Sequence, residues 1–124
     1  MRFMMLMIPK GYESAAPGTM PETDAVAAMM KYNDDLKKAG VLVALDGLHP
    51  PSAGARVSFT GGTPRVSDGP FAEAKEVFAG FNLIEAPNIE RAVEIAHSFP
   101  WSRFGSIEVR PVRDFNAVRE RVGA

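Results

Sequence analysis

The sequence predicts one α+β domain in which two helices alternate with strands and a β-hairpin is inserted between the halves. Apolar runs of strand length occur at residues 2–8, 41–45 and 77–85. Apolar residues recur at helical spacing over residues 22–39 and 88–97. Gly61-Gly62 separates two β-prone runs, which is typical of a hairpin turn. The 124 residues suffice for one such core but not for two, so we expect a single domain over residues 1–124.

Composition argues against several classes of function. With 46% hydrophobic and 23% charged residues, the chain has the balance of a soluble globular protein. Its net charge of -1 predicts no general attraction to nucleic acid or anionic membranes, and no apolar run approaches the ~18 residues of a membrane helix. The absence of cysteine removes disulfides, thiolate zinc sites and cysteine nucleophiles, and it favours a cytoplasmic location.

The first strand, residues 2–8, is apolar on both faces. Side chains alternate along a strand, so Phe3 and Met5 point one way while Met4 and Leu6 point the other. A strand of this kind is covered on both sides. The helices of one short chain can cover only one face, so we predict a homodimer in which a second copy covers the other.

Capping signals mark the first helix. Thr19 and Glu22 have the spacing of a capping box, and Gly40 ends the helix after Ala39. Its inward stripe comprises Ala25, Met29, Tyr32, Asn33 and Leu36.

The rest of the chain repeats the order of strand, helix and strand. The strand at 41–45 is again apolar on both faces, and the hairpin around Gly61-Gly62 is apolar on one side. Asn88 caps the second helix, the last strand covers 106–112, and a short helix is expected in the tail, about 114–124. Two such halves on one antiparallel sheet, with an inserted hairpin, correspond to a ferredoxin-like fold.

The turn Asp68-Gly69-Pro70-Phe71 is the most restrictive local sequence. Gly69 permits unusual backbone angles, and Pro70 fixes its own φ and lacks an N–H. Asp68 is expected to close an Asx-turn through its carboxylate. The turn would deliver the chain from the hairpin into a buried strand.

These residues resemble a known family. Residues 68–76, followed by Gly80-Phe81, are similar to the DGPF group of the YCII-related proteins. The same group is suggested by three further stretches, namely Gly47-Leu48-His49-Pro50, the Gly61-Gly62 hairpin and Ile107-Glu108-Val109-Arg110-Pro111. The likeness extends from about Met1 to Phe115.

The resemblance implies a ferredoxin-like subunit that pairs as a dimeric α+β barrel, with a cleft between sheet and helices. It implies little about activity, although some relatives are associated with extracytoplasmic-function sigma factors. Relatives in the wider group carry a His-Asp pair, with the histidine on the first helix and the aspartate after the second. Here the helix at 22–39 has no histidine, and the later segment reads Ser98-Phe99-Pro100-Trp101. That pair is therefore not transferred to this chain.

Two residues are candidates for acid–base chemistry. Asp68 is either a structural turn residue or a cleft carboxylate. His49 lies in a proline-stiffened loop, where it is either an exposed loop residue or a positioned acid or base. His97 suits the end of a helix, and two isolated histidines do not suggest a metal site.

Four further residues are candidates for ligand binding: Tyr32, Glu76, Phe81 and Trp101. Tyr32 could equally pack in the core, and Glu76 could lie on a solvated surface. No phosphate-binding loop, nucleophile elbow or zinc spacing occurs, so no cofactor is predicted.

Two functions from different classes fit these observations. The first is a small-molecule-binding or regulatory accessory module in a homodimer. The second is a cofactor-independent enzyme of the dimeric α+β barrel type, an isomerase, lyase or monooxygenase, in which Asp68 and His49 act on a ligand in the cleft.

Overall fold

A computed structural model describes residues 1–19, 23–70, 78–100 and 105–123. The strands are β1 (Arg2–Pro9), β2 (Leu42–Gly47), β3 (Ala55–Thr60), β4 (Thr63–Asp68), β5 (Gly80–Glu85) and β6 (Gly105–Pro111). The helices are α1 (Thr23–Lys38), α2 (Ile89–His97) and α3 (Phe115–Arg121), and short 3-10 turns occur at Tyr12–Ser14 and Pro51–Ala53. Within these ranges, no helix is long and apolar enough to cross a bilayer.

Four strands form one antiparallel sheet in the order β2-β5-β1-β6. Strands β1 and β2, which α1 connects, therefore alternate in the sheet with strands β5 and β6, which α2 connects. This is the predicted ferredoxin-like arrangement. Strands β3 and β4 form a separate two-stranded sheet, in register from Ala55 opposite Asp68 to Thr60 opposite Thr63. The predicted inserted hairpin is thus confirmed, and it lies outside the main sheet.

The core lies between the sheet and the helices. On the sheet side it includes Phe3, Met5 and Ile84, each at most 1% exposed. On the helix side, Tyr32 of α1 packs its ring edge-on against Phe99, with ring centroids 5.1 Å apart. Ala92 and Ile95 of α2 complete this layer.

The opposite face of the sheet is apolar at its centre. Met4 and Leu6 of β1, with Phe81 and Leu83 of β5, lie in register on this face and are half-buried. In the edge strand β2, Val43 is 48% exposed in the single chain. An edge strand has a neighbour on one side only, and a register shift between Leu42 and Ala44 breaks its ladder at this point.

The turn at Gly69 holds the base of the hairpin against the preceding loop. The Gly69 N–H donates to the Gly54 carbonyl at 2.9 Å. A Cβ at residue 69 would lie 1.7 Å from the Pro51 carbonyl oxygen, so only glycine fits here. The predicted Asx-turn at Asp68 is wrong, because the residue two positions on is Pro70, which has no N–H to donate.

The helix signals are confirmed in part. Asn88 caps α2, since its Oδ1 accepts from the Arg91 N–H at 2.9 Å. Ala25, predicted to face inward on α1, is exposed instead. The Thr19 hydroxyl donates to the Ala16 carbonyl at 2.6 Å, and its expected partner Glu22 lies outside the described residues.

Candidate ligand-binding site

A cavity of about 460 Å³ lies between α1 and the helix-facing side of the sheet. Its floor is formed by Met7 of β1, by Gly80 and Asn82 of β5, and by Leu45 of β2. Helix α1 contributes Met29 and Asn33, which lie one turn apart on one face. The volume and the mostly apolar lining are those of sites that bind small organic molecules.

The side-chain amides of Asn33 and Asn82 contact each other at the apolar wall of this cavity. Asn82 is 3% exposed, and its Nδ2 donates to Asn33 Oδ1 at 2.8 Å. Asn82 lies opposite Met5 of β1, which is fully buried, and opposite Leu45 of β2. Strand alternation points all three side chains to the helix side, so the amide pair stands among apolar groups.

The segment from Pro9 to Thr19 forms one wall of the cavity. Pro9, Tyr12 and Thr19 line it directly. Two hydrogen bonds tie this wall to the loop after β2: the Tyr12 hydroxyl donates to the Leu48 carbonyl, and the Ser52 hydroxyl donates to the Ala15 carbonyl at 2.7 Å. The wall is therefore fastened at two points.

Of the residues predicted from sequence, His49 and Phe81 border the cavity. His49 is exposed, in the loop that follows β2. Phe81 stands between Gly80 and Asn82, so alternation directs its ring to the opposite face and leaves its backbone at the cavity.

The other predicted site residues lie elsewhere. Asp68 is exposed at the end of β4 and is not part of the described cavity lining, so His49 and Asp68 are not brought together there. Tyr32 packs in the core, 8% exposed, and its hydroxyl donates to the Ile95 carbonyl at 2.6 Å. Glu76 and Trp101 lie outside the described residues.

Both tyrosines are held in the neutral form. Burial raises the pKa of Tyr32 above its ordinary value of 10.0, and a hydrogen bond with Ser98 opposes the rise. Burial also raises the pKa of Tyr12. Each phenol therefore acts as a hydrogen-bond donor at neutral pH. In the described part of the chain, no group of three or more acidic, histidine or cysteine side chains could hold a metal ion.

Sequence reasoning missed Asn82 and Tyr12. Asn82 interrupts the apolar strand Phe81-Asn82-Leu83-Ile84, and asparagine is disfavoured in strands, so this signal was present. Asn33 was placed on the inward stripe of α1, but its partner 49 residues away could not be paired with it from the sequence. Tyr12 lies in an irregular segment with no periodic pattern.

The comparisons with known proteins place the chain in a family. The YCII-related domain matches residues 1–116. The chain belongs to the YCII-related family. An uncharacterized protein from Rhizobium meliloti (strain 1021) is 36% identical over 91 residues, which cover 72% of this chain and 70% of that protein.

This YCII-related chain also resembles a solved structure. The structure is that of 5-chloro-2-hydroxyhydroquinone dehydrochlorinase from Burkholderia phenoliruptrix AC1100 in complex with 2,5-dihydroxybenzoquinone, with a TM-score of 0.50. The match covers 91% of this chain and 94% of that chain at 15% sequence identity. At this identity the likeness supports the α+β fold and carries no assignment of activity.

Proposed function

We propose that this YCII-related chain is a small-molecule-binding module and that the ligand occupies the cavity between α1 and the sheet. The observation that carries the proposal is the cavity itself, of about 460 Å³, with a largely apolar lining and a hydrogen-bonded pair formed by the buried Asn82 and the half-buried Asn33. Sites for small ligands combine these properties: apolar walls give affinity, and a few fixed polar groups give orientation. A regulatory accessory role would use the same binding event.

Blocking the cavity tests this proposal. Leu48 lines the cavity and is 49% exposed, so Leu48→Trp can fill the opening without repacking the core. Val66 on the hairpin is 69% exposed and lies outside the described lining, so Val66→Trp is the matched control. Neutral bicyclic aromatic compounds are titrated against both variants while the amide resonances of the cavity residues are followed by NMR.

We expect binding to the wild-type protein and to Val66→Trp, and its loss in Leu48→Trp. If none of the compounds shifts the cavity resonances, or if Leu48→Trp binds as well as the control, the cavity is not the binding site.

The alternative, a cofactor-independent enzyme, retains one supporting observation: His49 borders the cavity. An imidazole beside a bound ligand can act as a general acid or base. The version that also uses Asp68 loses its support, because that carboxylate is outside the described lining. Compounds that bind are incubated with wild-type protein and with His49→Gln, and time-resolved NMR follows product formation. Turnover by wild-type protein alone would establish the enzyme, whereas binding without turnover leaves the binding module.

We further propose that two copies pair through the outer face of the sheet, where Met4, Leu6, Phe81 and Leu83 form an apolar strip. Apolar area of this kind is covered in stable homodimers. Light scattering at micromolar concentration should give twice the 13.4 kDa mass of the chain. Leu6→Lys should reduce the mass to that of a monomer, whereas Met30→Lys, on the exposed side of α1, should not. A monomeric wild-type protein contradicts this arrangement.

A further inference from the structure

We infer that the cavity selects uncharged organic molecules that carry a hydroxyl or carbonyl oxygen, and that the Asn33–Asn82 amide pair binds this oxygen. The inference rests on the proposed binding role and narrows it to a class of ligand. The decisive feature is hydrogen-bonding capacity that the described part of the chain leaves unused inside an apolar cavity.

Asn82 has more capacity than its one partner uses. A carboxamide carries two N–H donors and a carbonyl acceptor. The bond from Asn82 Nδ2 to Asn33 Oδ1, 2.8 Å long, uses one donor of Asn82. Within the described part of the chain, no other side-chain hydrogen bond reaches either amide. If both side-chain amides are rotated so that nitrogen and oxygen change places, the pair still uses one N–H donor and one carbonyl acceptor. In either orientation the pair keeps a donor and an acceptor for a ligand.

The position of Asn82 makes this unused capacity costly without a ligand. The side chain is 3% exposed and stands between Met5 and Leu45 on the sheet. Buried polar atoms almost always have at least one hydrogen-bond partner, because an unpaired one loses its bonds to water without compensation. Asn82 Oδ1 has no such partner among the described residues. An apolar side chain would suit this strand better. An amide here is explained when a ligand oxygen completes its bonding.

The charges around the cavity favour a neutral ligand. The described lining contains no lysine or arginine. Its one carboxylate residue is Asp46, and its one histidine, His49, lies exposed in the loop after β2 and not on the floor beside Asn82. Asp46 lies opposite Phe81 in the sheet, so alternation directs its side chain to the outer face. A charged group bound against Asn82 would lack a counter-charge on the floor, and burying an unpaired charge is far more costly than burying a hydroxyl.

Three probes with one ring system test the inference. 2-Naphthol presents a hydroxyl, 2-methylnaphthalene presents a methyl group of similar size, and 2-naphthoate presents an anion. Dissociation constants are measured by NMR titration at neutral pH, and the side-chain amide resonances of Asn33 and Asn82 are followed. We expect 2-naphthol to bind at least about tenfold more tightly than 2-methylnaphthalene, because a site built for a hydrogen bond rejects the analogue that cannot make it. 2-Naphthoate should bind the most weakly.

The matched variants separate the contribution of the Asn33–Asn82 pair to ligand preference from the affinity of the apolar cavity for any naphthalene. In Asn33→Leu combined with Asn82→Leu, both partners become apolar, which proteins tolerate better than the loss of one. The preference for 2-naphthol over 2-methylnaphthalene should then disappear. Asn116→Leu, at an exposed position on α3, should retain it.

Equal affinity of the wild-type protein for 2-naphthol and 2-methylnaphthalene overturns the inference and leaves the binding role intact. The same follows if the preference survives in the double leucine variant. This comparison in the wild-type protein decides the matter even if the double variant fails to fold. Failure of all three probes to bind would contradict both the inference and the proposed function.

Discussion

A methyl group at Gly80 tests how closely strand β2 must approach β5 at the floor of the cavity. Gly80 pairs with Gly47 at the end of the β2–β5 ladder. A Cβ on Gly80 would lie 2.7 Å from the Asp46 carbonyl oxygen and 3.2 Å from the Gly47 Cα. Both atoms belong to the backbone of the neighbouring strand, so no side-chain rotation relieves the contact. Gly80→Ala therefore has to displace β2.

The expected cost follows from two opposing effects. Overpacking of a well-packed site costs typically ~1–3 kcal/mol, and here the obstacle is backbone, which favours the upper end. Alanine restricts the unfolded chain and recovers about 0.5–1 kcal/mol. The free energy of unfolding should fall by about 2 kcal/mol. At roughly 4 °C per kcal/mol for a domain of this size, the melting temperature should drop by about 8 °C.

Thermal unfolding followed by circular dichroism measures this, and Gly47→Ala is the control. A Cβ on Gly47 would find its nearest atom, the Ala79 carbonyl oxygen, at 3.9 Å, which is an ordinary contact. We expect Gly47→Ala to melt within about 2 °C of wild type, a change of at most ~0.5 kcal/mol. If Gly80→Ala melts at the same temperature as Gly47→Ala, the close approach of the two strands does not limit this position.

Three further predictions concern local contacts. Asn88→Ala should lower the free energy of unfolding by about 1 kcal/mol, because it removes the cap of α2. Urea unfolding measures this change, and an unchanged urea midpoint would contradict a stabilising role of the capping bond. Above pH 10 the wild-type protein should lose stability, because burial raises the pKa of Tyr32 and the unfolded chain releases that proton first. Tyr32→Phe should show a smaller loss between pH 9 and 11, and an identical pH profile would exclude Tyr32 as its source. Gly69→Ala should speed hydrogen exchange at the amide of residue 69, since the new Cβ would lie 1.7 Å from the Pro51 carbonyl oxygen. The control is Gly54→Ala, whose Cβ would lie 3.5 Å from the same oxygen, and it should leave the amide of residue 69 protected.

The predicted element types match the structure because their signals are local. The alternation in residues 2–8, the spacing of apolar residues before His97 and the Gly61-Gly62 turn each fix a short segment by its own sterics and periodicity. The Asn88 cap is equally local, since its partner is the Arg91 N–H three residues on. The order of these elements then allowed the ferredoxin-like arrangement to be predicted.

The candidate site residues depend on contacts between segments that are distant along the chain. His49 borders the cavity, because the proline-stiffened loop that carries it lies at the end of β2. Tyr32 has the same helical spacing whether it lines a cavity or packs in the core, and the structure puts it against Phe99. Asp68 is the last residue of the hairpin, and the residue pattern of the hairpin does not indicate where it lies relative to the main sheet.

The helices, the strands and their order follow from local sequence, because backbone sterics and apolar periodicity act between near neighbours. The position of the cavity and the groups that line it depend on tertiary packing. Asn33 and Asn82 are 49 residues apart, and they meet because β5 lies between β1 and β2 while α1 crosses the same face. The close approach at Gly80 likewise depends on the register with β2. Contacts of this kind arise from strand order and packing, which no short stretch of sequence encodes.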